Sequence, residues 1–216
     1  MDTQALYVAW TDLIGYLGAT AAARDDGWTL ISKHYQEAHR HYHTLQHVAA
    51  LLQQSERMPV KVHDRAVLAL SIWFHDLIYD THASDNEAQS AAAARAWMQH
   101  AGLGAELSEQ VAVCITATAR HQLPSAISYP PDLPVFLDLD LGILGAEAVS
   151  YQHYAAAIRA EYAWVPAFTY RWARAGVLKK FLQREVLYFT DHFRTLLEAQ
   201  ARHNLQRERR QLLFFF

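Results

Sequence analysis

The spacing of apolar residues along the chain predicts helices. Between Trp10 and Leu17, apolar residues recur at the three- and four-residue intervals of one helix face, and Gly18 ends the segment. Alternating apolar and polar runs bounded by hairpin turns, which mark half-buried strands, are missing from the sequence. Further elements are predicted at residues 29–40, 45–56, 62–78, 84–100, 106–120, 135–144 (a short apolar segment), 146–163 and 168–210, the last with a break near Thr190. The predicted fold class is therefore all-α.

Two local patterns say more about individual helices. Ser84 and Glu87 fit a capping box, in which side chains satisfy free N–H groups of the first helical turn. Residues 62–78 are apolar almost throughout, which is typical of a helix in the core.

The prolines between residues 124 and 134 mark a candidate domain boundary. We reject this boundary, because the chemistry considered below needs residues from both sides of it. We therefore predict one domain over residues 1–216. The core of its candidate site lies at about 40–145, and helices within 146–216 pack on that core.

The composition excludes several classes of protein. Lys plus Arg number 19 and Asp plus Glu 22 among 216 residues, a formal charge of −3, whereas a dedicated nucleic-acid binder usually shows a strong basic excess. A hydrophobic share of 52% excludes a disordered chain. No run reaches the roughly 18 apolar residues of a membrane span, and the N-terminus lacks the basic start of a signal peptide. We therefore expect a cytoplasmic protein without nucleic-acid or membrane partners.

Histidine and cysteine usage narrows the candidate chemistry. Cys114 is the one cysteine, so the chain has no disulfide framework and no cysteine-based zinc site. Histidine is frequent, with 13 residues. Any metal would therefore be held by imidazole and carboxylate groups, which suit zinc, iron, manganese or nickel.

Two segments place histidine or aspartate beside apolar residues. His43 and His47 are four residues apart, which predicts that they lie on one helix face about one turn from each other. His75 and Asp76 end the apolar run 68–74, where polar groups are costly unless they are paired or coordinated. A hydrogen-bonded core histidine and a helix-capping aspartate would explain the same residues. On the residues alone, a metal site and a purely structural role stay open.

A third segment adds two carboxylates in an apolar setting. Asp138 and Asp140 alternate with leucines within residues 135–144. If this stretch is buried, each carboxylate needs a partner or a cation. The segment therefore extends the set of candidate metal ligands.

The order of these segments resembles the HD superfamily of metal-dependent phosphohydrolases. The Tyr-His-x-x-x-His pattern at residues 42–47 also looks like the opening motif of the cyclic-nucleotide phosphodiesterases, which are related in fold. The chain is most similar to a bacterial family of predicted HD phosphohydrolases without an assigned substrate. The matching segments are 40–47, 74–76, 86–87, 118–121, 138–145 and 159–162, within about residues 5–208. The resemblance implies an HD-domain helical bundle.

This resemblance also implies a divalent metal site. The ligands it implies are His47, His75, Asp76 and Asp140. Asp138 would then cap a helix or lie outside the ligand set. A divalent ion with an open coordination position lowers the pKa of water towards neutrality, which supplies a nucleophile for phosphorus. The sequence does not distinguish among Mn, Zn, Ni, Mg and Fe as the bound metal.

Further site residues follow from the matched segments. His43 is implied to protonate the leaving oxygen, and Glu87 to orient water or a ribose hydroxyl, although the capping box also explains Glu87. The implied substrate-binding residues are Arg40, His121, Arg159 and Arg174. Taken alone, each arginine is better explained as an ordinary surface residue with its stem on apolar atoms. A histidine near a helix C-terminus is favourable on its own.

We expect an enzyme that hydrolyses a phosphate ester or phosphoanhydride, with a small nucleotide as substrate. One alternative is an HD-fold di-iron oxygenase, for which His82 and His121 are the extra candidate ligands. Another is a non-catalytic module that binds metal or nucleotide. The terminal run Leu-Leu-Phe-Phe-Phe would either fold back on the core or dock on a second copy, so a homodimer stays open.

Overall fold

The structure is a computed structural model that describes residues 1–125 and 128–214. Every regular element in those two ranges is helical, which confirms the all-α prediction. The α-helices are α1 (Thr3–Tyr16), α2 (Ala21–Tyr35), α3 (Leu45–Arg57), α4 (Arg65–Phe74), α5 (Asn86–His100), α6 (Ala105–Ala117), α7 (Leu133–Asp140), α8 (Ala148–Glu161), α9 (Ala167–Leu182) and α10 (Asp191–Leu213). A 3₁₀ segment, Leu141–Gly145, follows α7. Within the described ranges, no helix is long and apolar enough to cross a membrane.

The chain forms two compact units, Met1–Leu137 and Asp138–Phe216. The first holds α1 to α6 with the start of α7, and the second holds the end of α7, the 3₁₀ segment and α8 to α10. The boundary falls inside α7, which is one continuous helix. The terminal aromatic run ends with Phe215 and Phe216, which lie outside the described residues.

An aromatic cluster forms the centre of the first unit. Trp10 of α1 is fully buried, and its ring centroid lies 5.5 Å from that of Trp73 and 5.0 Å from that of Trp97. Gly27 lets α2 approach these rings, because a Cβ atom there would lie 2.5 Å from Trp10 and 2.6 Å from Nε1 of Trp97. The cluster packs against α4, which is buried along almost its whole length.

Helix α4 is shorter than the predicted range 62–78. Asp64 accepts two backbone N–H groups of the first turn and so starts the helix later. Beyond Phe74, the N–H of Ile78 bonds the Ser90 hydroxyl at 3.0 Å instead of continuing the helical ladder. The histidine-aspartate pair therefore lies in a turn after the helix.

Two further predictions of helix position are wrong. The helix predicted at 29–40 spans residues 21–35, because the Thr20 hydroxyl accepts an N–H of its first turn. His43 precedes α3, because Thr44 occupies the N-cap position. His43 and His47 therefore do not share a helix face, yet their ring centroids lie 6.0 Å apart.

The predicted capping box at Glu87 is also wrong. Helix α5 begins at Asn86, with Asp85 rather than Ser84 at the N-cap position. The Asn86 side chain bonds the backbone N–H and carbonyl of Asp80 at 3.0 and 2.9 Å, which closes the loop before the helix. The local sequence fits the box, but this contact over six residues sets the start of the helix.

Buried polar contacts join the elements of the second unit to α10. Asn204 donates to two backbone carbonyls at the end of the 3₁₀ segment, at 2.9 and 2.8 Å. Glu208 pairs with Arg174 of α9 at 2.8 Å and accepts the hydroxyl of Tyr151 of α8. Burial raises the pKa of Tyr151, and the neighbouring Glu208 carboxylate raises it further. The tyrosine therefore stays a neutral donor.

Candidate metal centre

Two buried histidines and an aspartate meet in the first unit. His47 lies in the first turn of α3, and His75 and Asp76 follow the last residue of α4. The Nε2 atoms of His47 and His75 are 3.1 Å apart. Oδ2 of Asp76 lies 2.9 Å from Nε2 of His75 and 3.8 Å from Nε2 of His47. Three potential ligand atoms therefore converge on one point.

The sequence of α4 explains how polar groups reach this position. Its apolar residues are buried together, and their removal from water draws the end of the helix into the core. His75 is 1% and His47 5% exposed, whereas the Asp76 side chain is 18% exposed. The cluster is thus buried on its histidine side and open to solvent at the carboxylate.

One hydrogen bond determines where His75 carries its proton. Nδ1 lies 3.0 Å from the carbonyl of Ile72, which can only accept, so Nδ1 carries the hydrogen. In the neutral imidazole, Nε2 then holds a lone pair. That lone pair faces the carboxylate of Asp76, a second acceptor, at 2.9 Å.

Two acceptors at this distance need a shared proton or a cation between them. A divalent ion fits this donor set, because a metal-binding histidine usually donates its other N–H to a carbonyl or carboxylate. Imidazole and carboxylate together suit zinc, iron, manganese or nickel.

Helix α7 carries a second carboxylate. Phe136, in its first half, lies with its ring centroid 5.9 Å from that of His75. Asp140 follows about one helical turn later and so shares the face of Phe136. His47 and His75 belong to a group of ligand residues that can hold a metal ion, and the HD resemblance implies Asp140 as a further ligand.

Asp138 has a different environment, within the second unit. Its carboxylate accepts the N–H of Phe189 at 2.7 Å, and the N–H and hydroxyl of Thr190 at 2.8 and 2.7 Å. Burial raises the pKa of Asp138, and these hydrogen bonds partly oppose that rise. Since Thr190 is the N-cap of α10, Asp138 holds the start of that helix.

Aromatic rings enclose the candidate acid His43. The ring centroid of Tyr79 lies 4.2 Å from that of His43, and that of Tyr42 lies 5.1 Å away. Tyr42 also covers His47 at 4.8 Å. Tyr79 was absent from the predicted site, and its position four residues after His75 is the one signal that points to it.

Arg40 lies beside the cluster and is enclosed by protein. Its side chain is 0% exposed. It donates to Glu37 and to the carbonyls of His43, Asp76 and Leu77. A phosphate group at this guanidinium would have to displace one of these partners.

The other predicted residues are spread over four helices or their ends. Glu87 is in the first turn of α5. His121 follows α6 with a backbone φ of 45°, a left-handed conformation that is uncommon outside glycine. In the second unit, Arg159 donates to two carbonyls of the turn after α8, and Arg174 pairs with Glu208. The roles implied for these four residues stay predictions.

Comparison with known proteins adds no family. No protein-family model, curated protein or solved structure matches the chain. The HD resemblance therefore rests on the motifs alone, and the geometry around His75 is the main basis for a functional proposal.

Proposed function

We propose that the chain is a divalent-metal-dependent phosphohydrolase. The observation that carries the proposal is the convergence of three potential ligand groups: Nε2 of His75 and Oδ2 of Asp76 lie 2.9 Å apart, next to the buried His47. This arrangement supports a bound cation, and the order of the motifs supports an HD-type hydrolase. The proposed substrate is a phosphate ester or phosphoanhydride of a small nucleotide.

Each residue of the centre has a role in this proposal. The ligands are His47, His75, Asp76 and Asp140. A divalent ion bound by these residues would supply an activated water and positive charge to offset that on the phosphoryl oxygens. His43 gives a proton to the leaving oxygen, since its ring lies 6.0 Å from that of the ligand His47. The ring of Tyr79, tilted by 33° with its centroid 4.2 Å from that of His43, packs against the imidazole and restricts its orientation.

Charge supports a small substrate. With a net charge of −3, the chain lacks the basic excess that a polyanion such as nucleic acid requires. Phosphate groups are nevertheless recognised by arginine and protonated histidine. Arg159, Arg174 and His121 remain the proposed contacts, and Glu87 is the proposed group that orients water or a ribose hydroxyl.

Metal content and turnover together test the proposal. The full chain, purified without chelator, should contain about one divalent ion per chain, as single-metal hydrolytic sites do. It should hydrolyse aryl phosphates or nucleotides after loading with Mn²⁺, Zn²⁺ or Ni²⁺. His75→Ala should lose both the ion and the activity. His100→Ala is the matched control, because His100 is an exposed histidine at the end of α5 that pairs with the exposed Asp26 and is no candidate ligand, and it should keep both.

Other outcomes would contradict the proposal. Full activity in His75→Ala would exclude this centre as the site of catalysis. Two irons per chain with oxidation of a small molecule would favour the oxygenase alternative. Tight binding of metal or nucleotide without turnover would favour a non-catalytic module.

A further inference from the structure

Arg40 is a buried cation between two turns of the first unit. It lies between the end of α2 and the start of α3, and its side chain is 0% exposed. Nε donates to Oε2 of Glu37 at 2.9 Å. The ring centroids of Tyr35 and Tyr79 lie 5.1 and 5.5 Å from the guanidinium carbon. A carboxylate and two aromatic rings thus hold this charge inside the protein.

The other donors of Arg40 reach the backbone of the candidate site. Nη1 donates to the carbonyl of Asp76 at 2.6 Å and to that of His43 at 3.2 Å, and Nη2 donates to the carbonyl of Leu77 at 2.8 Å. Carbonyls at and beyond a helix end lack helical partners, so a cation there is favourable. One guanidinium therefore ties the turn after α4 to the turn before α3.

We propose that Arg40 is a positioning residue of the metal centre rather than a phosphate ligand. The inference rests on the proposed function, because it assumes a metal at Asp76. Bonds to the carbonyls of Asp76 and Leu77 fix the main chain from which the Asp76 carboxylate projects. The bond to the His43 carbonyl, and the Tyr79 ring that contacts both the guanidinium and the His43 imidazole, hold the candidate acid beside the ligand His47.

The shape of the guanidinium explains why arginine occupies this position. Its planar fork reaches a carboxylate and three carbonyls at once, whereas a lysine ammonium is a single point of charge. The same arrangement occurs once more in the second unit, where Arg202 donates to Glu198 and to three carbonyls at the end of α9. Arg202 therefore provides a matched control, an arginine with equivalent bonds and no candidate ligand among them.

Cobalt binding by the full chain tests the positioning role. The visible absorption of bound Co²⁺ reports both affinity and ligand geometry. We expect Arg40→Ala and Arg40→Lys to bind Co²⁺ roughly 10- to 100-fold more weakly than the wild type, as for other groups that orient metal ligands. Their absorption bands should also change. Added guanidinium ion at low millimolar concentration should restore affinity in Arg40→Ala, and Arg202→Ala should bind as the wild type does.

Several results would overturn the inference. If Arg40→Lys binds Co²⁺ with the affinity and spectrum of the wild type, Arg40 does not position the ligands, although the metal centre itself stands. A raised KM in that variant would show that Arg40 contacts the substrate instead. Equal weakening in Arg202→Ala would show a general loss of stability. A wild-type chain that binds no Co²⁺ would refute the proposed function itself. If circular dichroism shows that Arg40→Ala does not fold, Arg40→Lys decides, because it keeps the charge and most of the stem.

Discussion

Replacing Asp138 and Asp140 one at a time should affect two different properties of the protein, its stability and its metal binding. The two carboxylates are two residues apart in the sequence, yet their surroundings differ. Asp138 is 0% exposed and accepts three hydrogen bonds from Phe189 and Thr190. Asp140 is a metal ligand that the HD resemblance implies. We therefore expect Asp138→Asn to destabilise the fold and Asp140→Asn to weaken metal binding.

The hydrogen bonds of Asp138 set the size of the first effect. An asparagine amide has one acceptor oxygen, which can keep both bonds from Thr190. Its NH₂ group then faces the N–H of Phe189, so one charge-assisted bond is lost and a buried donor is left unpaired. Together these changes cost about 2–4 kcal/mol of unfolding free energy. Asp138→Ala loses all three bonds and should cost about 3–5 kcal/mol.

Two assays on the same samples separate the effects. Urea unfolding followed by circular dichroism gives stability, and Co²⁺ titration at low urea gives metal affinity. Asp140→Asn should change stability by less than about 1 kcal/mol, since Asp140 is only half-buried, and should weaken Co²⁺ binding at least roughly tenfold. Wild-type stability in Asp138→Asn would refute the assignment of its hydrogen bonds. Loss of Co²⁺ binding in Asp138→Asn but not in Asp140→Asn would show that Asp138, rather than Asp140, is the metal ligand.

Three further predictions concern the core and the acid. Gly27→Ala should lower the unfolding free energy by about 1–3 kcal/mol, because the new Cβ atom would lie 2.5 Å from the Trp10 ring. Thermal unfolding measures this, and Gly15→Ala is the control, because a Cβ atom at Gly15 would meet nothing within 4 Å. Burial raises the pKa of Cys114 to about 12, so an aromatic disulfide reagent at pH 8 should react only with the unfolded chain. His43→Ala should keep the metal but lower kcat by roughly 10²–10⁴, and steady-state kinetics on metal-loaded protein measures this.

The sequence indicated those parts of the candidate metal centre that depend on local signals. The apolar run of α4 indicates a core helix, and a histidine-aspartate pair at its end indicates polar groups that need a partner. Helix α7 is likewise visible as an apolar segment that contains Asp140. In both cases hydrophobic periodicity and an out-of-place polar residue are enough, because neither signal depends on a distant part of the chain.

Contacts between distant residues could not be predicted in this way. The partners of Asp138 lie about fifty residues later, so the sequence offers no reason to assign its carboxylate to the start of α10. The contact between Asn86 and Asp80, which replaces the predicted capping box, is likewise not evident from the local sequence, although it joins residues only six positions apart. Arg40 is the first residue of the matched segment 40–47, which suggested a contact with phosphate. Its carbonyl partners after α4 are evident only in the folded chain.

Arg40 and Arg202, which both bond carbonyls at helix ends, show which observation supports a functional site. Arg202 bonds three carbonyls at the end of α9, so such a cation by itself has a sufficient structural explanation. The end of α4 differs because two buried imidazoles and a carboxylate converge there, with Nε2 of His75 at 2.9 Å from Oδ2 of Asp76. Arg40 donates to the Asp76 carbonyl and so holds the main chain of this residue. Imidazole and carboxylate groups that converge at a partly buried site favour a cation, and this convergence connects the fold to the proposed chemistry.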